Sequence, residues 1–203
     1  MAFIRTVSYE EAAENIKEGY DAILRHNLYV PNVHAVSGIR PDIMETLATH
    51  TRTVMNGKSG LTKAEKEMVA TVVSAVNKCQ LSTIRCAEAL HKQDPDSLLA
   101  RRFGENYRDA GLSKKQVAML EFAESLTVTP STISRDCVDR LRGLGWLDED
   151  VVDIVHITGL FNYLVRVMDG LGADLPLNRG REAMTNRLPF RDEIVLKTFG
   201  NIA

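Results

Sequence analysis

Apolar residues recur along this chain at intervals of three and four, the spacing of one face of an α-helix. No stretch alternates with the two-residue period of a strand. From Tyr9 to His26, residues Ala12, Ala13, Ile16, Tyr20, Ile23 and Leu24 fall on one face. Val30-Pro31-Asn32 breaks that pattern, and a second helix is predicted from about Pro41, where proline suits a first turn, to Asn56-Gly57. Later helices begin with a leucine followed by a capping residue. Leu61-Thr62 leads to Glu65 and Leu112-Ser113 to Gln116, both spaced for reciprocal capping, with Leu112 and Val117 placed as a hydrophobic staple. Leu147-Asp148 leads to Val152, with Asp148 expected as an acidic N-cap.

Further helices are predicted over about Cys79–Lys92, Pro95–Asp109 and Ser131–Arg142. The last long one runs from Asp148 to about Gly172 and is apolar on most of its surface, so it should be central to the core, buried against another subunit, or both. The pattern therefore predicts an all-α, compact helical bundle. A single domain over 1–172 is followed by a tail, 173–203, that carries Arg179, Arg181, Arg187 and Arg191 and packs on its own subunit or a neighbour.

Composition narrows the function. The chain has 203 residues, 44% of them hydrophobic and 26% charged, which is ordinary for one globular domain. A net charge of −2 gives no field to recruit nucleic acid or an anionic membrane. No apolar run is expected to span a bilayer, and Met1 to Arg5 lacks a secretory layout, so a cytoplasmic location is expected. Three cysteines, Cys79, Cys86 and Cys137, do not make a disulfide framework, and Cys137 reads as a small packed residue.

Candidate chemistry lies between Thr62 and His91. Glu67, Thr71 and Ser74 fall on one helical line, beside Met68, Val72, Val73 and Val76 and away from Lys63 and Lys66. Periodicity alone favours a solvated Glu67. Its small uncharged neighbours open the alternative of a partly buried carboxylate with a raised pKa that moves protons. Asn77-Lys78 supplies a break, with asparagine suited to a left-handed residue. Cys79 then stands at a helix start, where the dipole and free amides favour a thiolate. Ser82 and Cys86 follow on the same face, and Cys86 reads equally as a core cysteine. Cys79 and Cys86 are about 10 Å apart along an unbroken helix, too far for a disulfide without unwinding. His156 reads as a hydrogen-bonded core histidine that could also approach the site. His26, His34, His50 and His91 show no metal-ligand spacing. Arg101-Arg102 reads as a solvated pair, and Arg166 and Asp169 as partners of each other or of a helix end.

These residues carry a resemblance. The separation of Glu67 from Cys79 resembles the motif of the AhpD-like/carboxymuconolactone decarboxylase superfamily: a glutamate, eleven residues, Cys-x-x-Cys, three residues and a histidine. Leu61 to Ala70, Ser74 to Cys79, Val30-Pro31-Asn32, Leu120 to Ala123, Phe161-Asn162, Arg166 and Asp169 to Gly172 are similar to its peroxidase-related branch. The resemblance implies a helical, oligomeric protein (a dimer or an assembly of dimers) with no metal and no cofactor. It also implies a cysteine pair that reduces hydroperoxides at the expense of a thiol reductant, with the glutamate and histidine relaying protons. The chain departs from that motif at the second cysteine, which is Ser82, and at the histidine, which is Cys86. A serine hydroxyl cannot take the place of a peroxidatic thiol.

Three functions are therefore in play, with catalytic candidates Glu67, Cys79, Ser82 and Cys86. The first is a decarboxylase- or isomerase-like enzyme in which Glu67 transfers protons on a small-molecule substrate. The second is a variant thiol peroxidase or redox sensor using Cys79, resolved by Cys86 or an external thiol. The third is a non-catalytic oligomeric binding module.

Overall fold

The computed structural model describes residues 2–24, 32–93, 95, 100 and 107–173. Among these it forms eight α-helices and no strand: α1 (Glu14–Leu24), α2 (Asn32–Ser37), α3 (Pro41–Asn56), α4 (Lys63–Val76), α5 (Gln80–Gln93), α6 (Lys114–Val128), α7 (Arg135–Gly143) and α8 (Asp148–Leu171). The all-α expectation holds. Of the helix expected over Pro95–Asp109, Ala100 is helical and buried and Tyr107–Asp109 forms a short 3-10 turn; most of its other residues, most of the tail, Val30-Pro31, Arg101-Arg102 and His26 lie outside the described residues.

α4 is the centre of the bundle, packed against α5, α6 and α8. Val69, Ala70, Thr71, Val73 and Ser74 have no exposed surface. The facing helices contribute Ala118, Met119, Leu120 and Ala123 from α6 and Ile154, Ile157, Leu160 and Val165 from α8. Each buried aliphatic side chain stabilises the fold by roughly 1.5–3 kcal/mol, so the α4 interfaces dominate its stability. A satellite cluster joins α1 to α3 through Ile16, Tyr20, Ile23 and Met44.

Local chemistry sets the helix ends. Thr62 Oγ1 accepts the Glu65 N–H at 3.1 Å while Glu65 Oε2 accepts the Thr62 N–H at 2.9 Å, and Ser113 with Gln116 repeats the device. At α8 the N-cap is Leu147, not Asp148. Asp150, one turn in, accepts the Leu147 N–H at 2.9 Å, and Asp148 is drawn instead to Arg142 at 2.7 Å. α8 ends at Gly172, in the left-handed region (φ 63°), with the Ala173 N–H returning to the Met168 carbonyl at 2.7 Å.

Other expectations are corrected. Helix α1 starts at Glu14 rather than Tyr9, because Ser8 and Glu11 hydrogen-bond each other's backbone N–H and close a separate turn. The short α2 was not anticipated, since proline-based reasoning marked its start as a break. α7 begins at Arg135, after a 3-10 turn at Pro130–Thr132. Lys66 is not on a solvated face: it is buried and donates to the Val54 and Gly57 carbonyls at 2.9 and 3.1 Å, capping α3. His156 is exposed and meets His50 edge-on at 6.4 Å between ring centroids, outside both core and site. The expectation that no run could span a bilayer was too strong, for α8 has the length and composition to do so. Half of that stretch is buried against the protein itself, as befits a core helix.

Candidate active site

The site grows from the turn between α4 and α5. Asn77 ends α4 in a right-handed conformation, and Lys78, at φ 58°, is the residue that turns left-handed. Lys78, not the Asn77 expected from sequence, therefore takes that role. The Asn77 amide is occupied, donating to the Val73 carbonyl at 2.8 Å and to Asn162 Oδ1 on α8 at 3.0 Å. The Lys78 N–H returns to the Ala75 carbonyl at 2.9 Å and the Cys79 N–H to the Ser74 carbonyl at 3.1 Å. This paired closure ends α4 and delivers Cys79 directly to the start of α5. Arg166 Nη1 donates to the Asn162 carbonyl at 2.7 Å and to Asn77 Oδ1 at 3.3 Å, so α8 braces the turn.

Ser82 and Cys86 share one face of α5 and look onto α4. Ser82 Oγ lies 2.8 Å from Ser74 Oγ, and Cys86 Sγ lies 4.0 Å from the same atom. Ser74 donates its own proton to the Ala70 carbonyl at 2.7 Å, so Ser82 is the donor to Ser74. The hydroxyl chain ends on a backbone carbonyl and carries no proton onward. It satisfies buried polar groups.

Cys79 does not join that cluster. Its thiol donates to Asp169 Oδ1 on α8 at 3.2 Å. Cys79 is almost fully buried, and desolvation pushes its thiol up to about 12. The backbone N–H of Ser82 and, less strongly, that of Leu81 pull the other way, while the Asp169 carboxylate reinforces the rise. The thiolate expected at a helix start is therefore overridden: burial and a carboxylate acceptor outweigh the helix terminus. Arg166 and Asp169 do not pair with each other, since Arg166 turns to the asparagines and Asp169 to the thiol. Burial, then the nearby Glu67 charge, also raises the Cys86 thiol. Cys137 stands half-buried near the start of α7. There it packs against the core, as expected, and the Ser134 backbone N–H and hydroxyl lower its thiol pKa.

Glu67 is the ionisable group of the inner cluster whose protonation changes near neutrality. A small part of the residue reaches the surface, yet its carboxyl is desolvated and is raised from 4.5 to about 7. Among the described residues no donor holds the carboxyl, so nothing offsets the cost of burying its charge. Glu67 is thus a partly buried carboxylate with a raised pKa rather than a solvated one. Spacing pairs Asp169 with Arg166 or a helix end, and the family-like run marks it, but neither signals its contact with Cys79, 90 positions away along the chain. Among the described residues no cluster of three His, Cys, Asp or Glu side chains is arranged to hold a metal.

The fold has close parallels. A peroxidase-related protein of Ralstonia eutropha JMP134, described as an alkylhydroperoxidase AhpD core, superposes with a TM-score of 0.79 at 26% identity, over 85% of this chain and 91% of that one. A peroxidase-related protein of Silicibacter sp. TM1040 does so with a TM-score of 0.76 at 28% identity, over 84% and 91%. The debrominase Bmp8, in complex with 2,3,4-tribromopyrrole, shares the fold at a TM-score of 0.77 and 14% identity, over 95% and 97%. No protein-family model and no curated protein matches the chain. The chain shares its helical fold with AhpD-core and peroxidase-related proteins.

Two measurements check this electrostatic picture. Because the folded-state value for Glu67 lies above the unfolded one, the folded protein holds that proton more tightly. The group's penalty is absent below about 4.5, grows as pH rises, and is complete above about 7, on the order of 3 kcal/mol. Urea unfolding across that window should show the decline in wild type and its loss in Glu67→Gln. For Cys79, Asp169→Asn removes the carboxylate acceptor. Iodoacetamide labelling of Cys79, followed by peptide mass, should then titrate lower by about a unit or more; an unmoved profile contradicts the role given to Asp169.

Proposed function

We propose that this protein is a small-molecule enzyme in which Glu67 transfers a proton, in the manner of decarboxylases and isomerases acting on small organic acids, rather than a two-cysteine peroxidase. The observation that carries the reading is the desolvated Glu67 carboxyl, poised at about 7. A group half-ionised near neutral pH can both take a proton from a substrate carbon or oxygen and return it, which is the condition for efficient general acid–base catalysis. The surroundings support it: Ser74, Ser82 and Cys86 are uncharged and buried, so a substrate anion or enolate beside Glu67 would meet little competing water. In this reading Ser82 and Cys86 set the polar surroundings of Ser74 on the Glu67 helix, and Cys79, held as a thiol by Asp169, stays out of the chemistry.

A second reading is favoured by the peroxidase-related relatives. In it the Cys79 sulfur attacks a hydroperoxide, the O–O bond breaks, the thiol becomes a sulfenic acid and an alcohol leaves. Cys86 after unwinding of α5, or an external thiol, then condenses with the sulfenic acid to a disulfide and releases water, and a thiol reductant, itself oxidised to a disulfide, returns Cys79 to the thiol. Its weakness is chemical, because the thiol is buried and hydrogen-bonded to a carboxylate, and the neighbouring motif position is Ser82.

The two separate by substitution. Across a panel of small organic acids, Glu67→Gln should abolish turnover, a loss of at least about a hundredfold, while Cys79→Ser retains most of it. Hydroperoxide consumption that disappears in Cys79→Ser and survives in Glu67→Gln would reverse the ranking. A biological role untouched by both variants would point to the binding module.

A further inference from the structure

One polar network, centred on Asn162, joins α6, α8 and the turn between α4 and α5. The Asn162 amide nitrogen donates to Thr127 Oγ1 at 3.1 Å and to the Thr158 carbonyl at 3.0 Å. Its amide oxygen accepts from Asn77 Nδ2 and from Arg166 Nη1, both at 3.0 Å. Two donors and two acceptor positions are all that such an amide has, so it is saturated. Arg166 is held at the outer end of this network, where Nη1 also donates to the Asn162 carbonyl at 2.7 Å and to Asn77 Oδ1 at 3.3 Å.

That restraint acts through Nη1 alone, and only through neutral oxygens. Among the described residues no carboxylate pairs with Arg166, and its Nε and Nη2 have no hydrogen-bond partner. Asp169, one turn further on, is taken by the Cys79 thiol instead. Nε and Nη2 form the edge that grips a carboxylate in two parallel bonds. Arg40 shows that edge in use in this chain, with Nε and Nη2 donating to the two oxygens of Asp42 at 3.1 and 2.7 Å. Arg166 is exposed, with the same edge unused. A free arginine loses side-chain freedom when it binds an anion, whereas one already held loses little. Lys78, exposed in the turn, and the N-terminal end of α5 add positive potential nearby, against the negative charge of Asp169.

We propose that the Nε–Nη2 edge of Arg166 is a binding site for the carboxylate of a small organic acid, held side-on by two hydrogen bonds as Asp42 is held by Arg40. The site lies at the turn that presents Cys79. Asn77 stands ten residues beyond Glu67, about 15 Å along the α4 axis. An acid of about two or three carbons seated on Arg166 therefore does not reach the Glu67 carboxyl. The site is additional to Glu67, and its occupancy does not depend on Glu67 being catalytic.

Binding is read without turnover, by titrating the ¹⁵N-labelled full chain with sodium acetate and, at equal ionic strength and pH 7, with sodium chloride. The signals followed are the backbone amides of Asn77, Lys78 and Cys79 and, in wild type, the Nε–H of Arg166. Acetate should shift them saturably, with a dissociation constant between about 0.1 and 10 mM. Arg166→Lys, at an exposed position, keeps the charge but loses the fork, and should weaken acetate binding by about tenfold or more. Asn77→Ala removes one of the oxygens that hold Nη1 and should weaken it by about threefold or more, with unchanged far-UV circular dichroism. No saturable shift, or one that chloride reproduces, overturns the proposal. Undiminished binding in Arg166→Lys overturns the two-bond geometry. Inorganic phosphate binding more tightly than acetate overturns the assignment to a carboxylate.

Discussion

The enclosure of α4 by α5, α6 and α8 is the constraint from which the site follows. A helix surrounded on those sides has little room for charge, and α4 accordingly places valine, alanine, threonine and serine along its buried surface. Two charged residues interrupt that surface: Lys66, whose ammonium is held by the Val54 and Gly57 carbonyls, and Glu67, for which no donor is found among the described residues. Glu67 lies one turn before Thr71 and two before Ser74, so the packing that buries those hydroxyls also strips water from its carboxyl. Among the described residues no donor replaces that water, and the charge is left expensive. The reactivity assigned to Glu67 thus comes from helix packing rather than from a dedicated catalytic partner.

The same packing treats the cysteines differently. The closure of α4 at Lys78 fixes where α5 begins and therefore which way its residues face. Ser82 and Cys86 turn inward to Ser74, whereas Cys79, at the very start, is within reach of α8 and donates to Asp169. A motif that reads as one row of candidates along a helix is divided by the tertiary structure into an inner polar cluster and an outer thiol–carboxylate pair. In a chain with Ser82 in place of a second motif cysteine, this division keeps the remaining motif thiol protonated and away from the ionisable group.

Much of the fold was legible in the sequence because its signals are local. The capping pairs Thr62–Glu65 and Ser113–Gln116, the apolar length of α8 and the break before Cys79 are each encoded within a few residues, and each appears in the structure. Local reasoning failed where a side chain was claimed from elsewhere. Asn77 stays right-handed because its amide is bound by α8, and Lys66 is buried because α3 ends beneath it. Ser8 closes a turn of its own instead of extending α1. The site shows the same divide. Glu67 and Cys79 were visible from spacing and family likeness, but the burial that sets the pKa of Glu67 and the Asp169 contact that quenches Cys79 depend on helices far apart in sequence.

The central claim is that Glu67 changes protonation near neutral pH in the folded protein, and a site-resolved titration examines it most directly. Glutamate labelled with ¹³C at the side-chain carboxyl, with the Glu67 signal identified by its loss in Glu67→Gln, gives the midpoint of this one group. The account predicts a midpoint near 7, well above the ordinary 4.5. A midpoint close to 4.5 would mean a solvated carboxylate and would contradict the proton-transfer reading at its root.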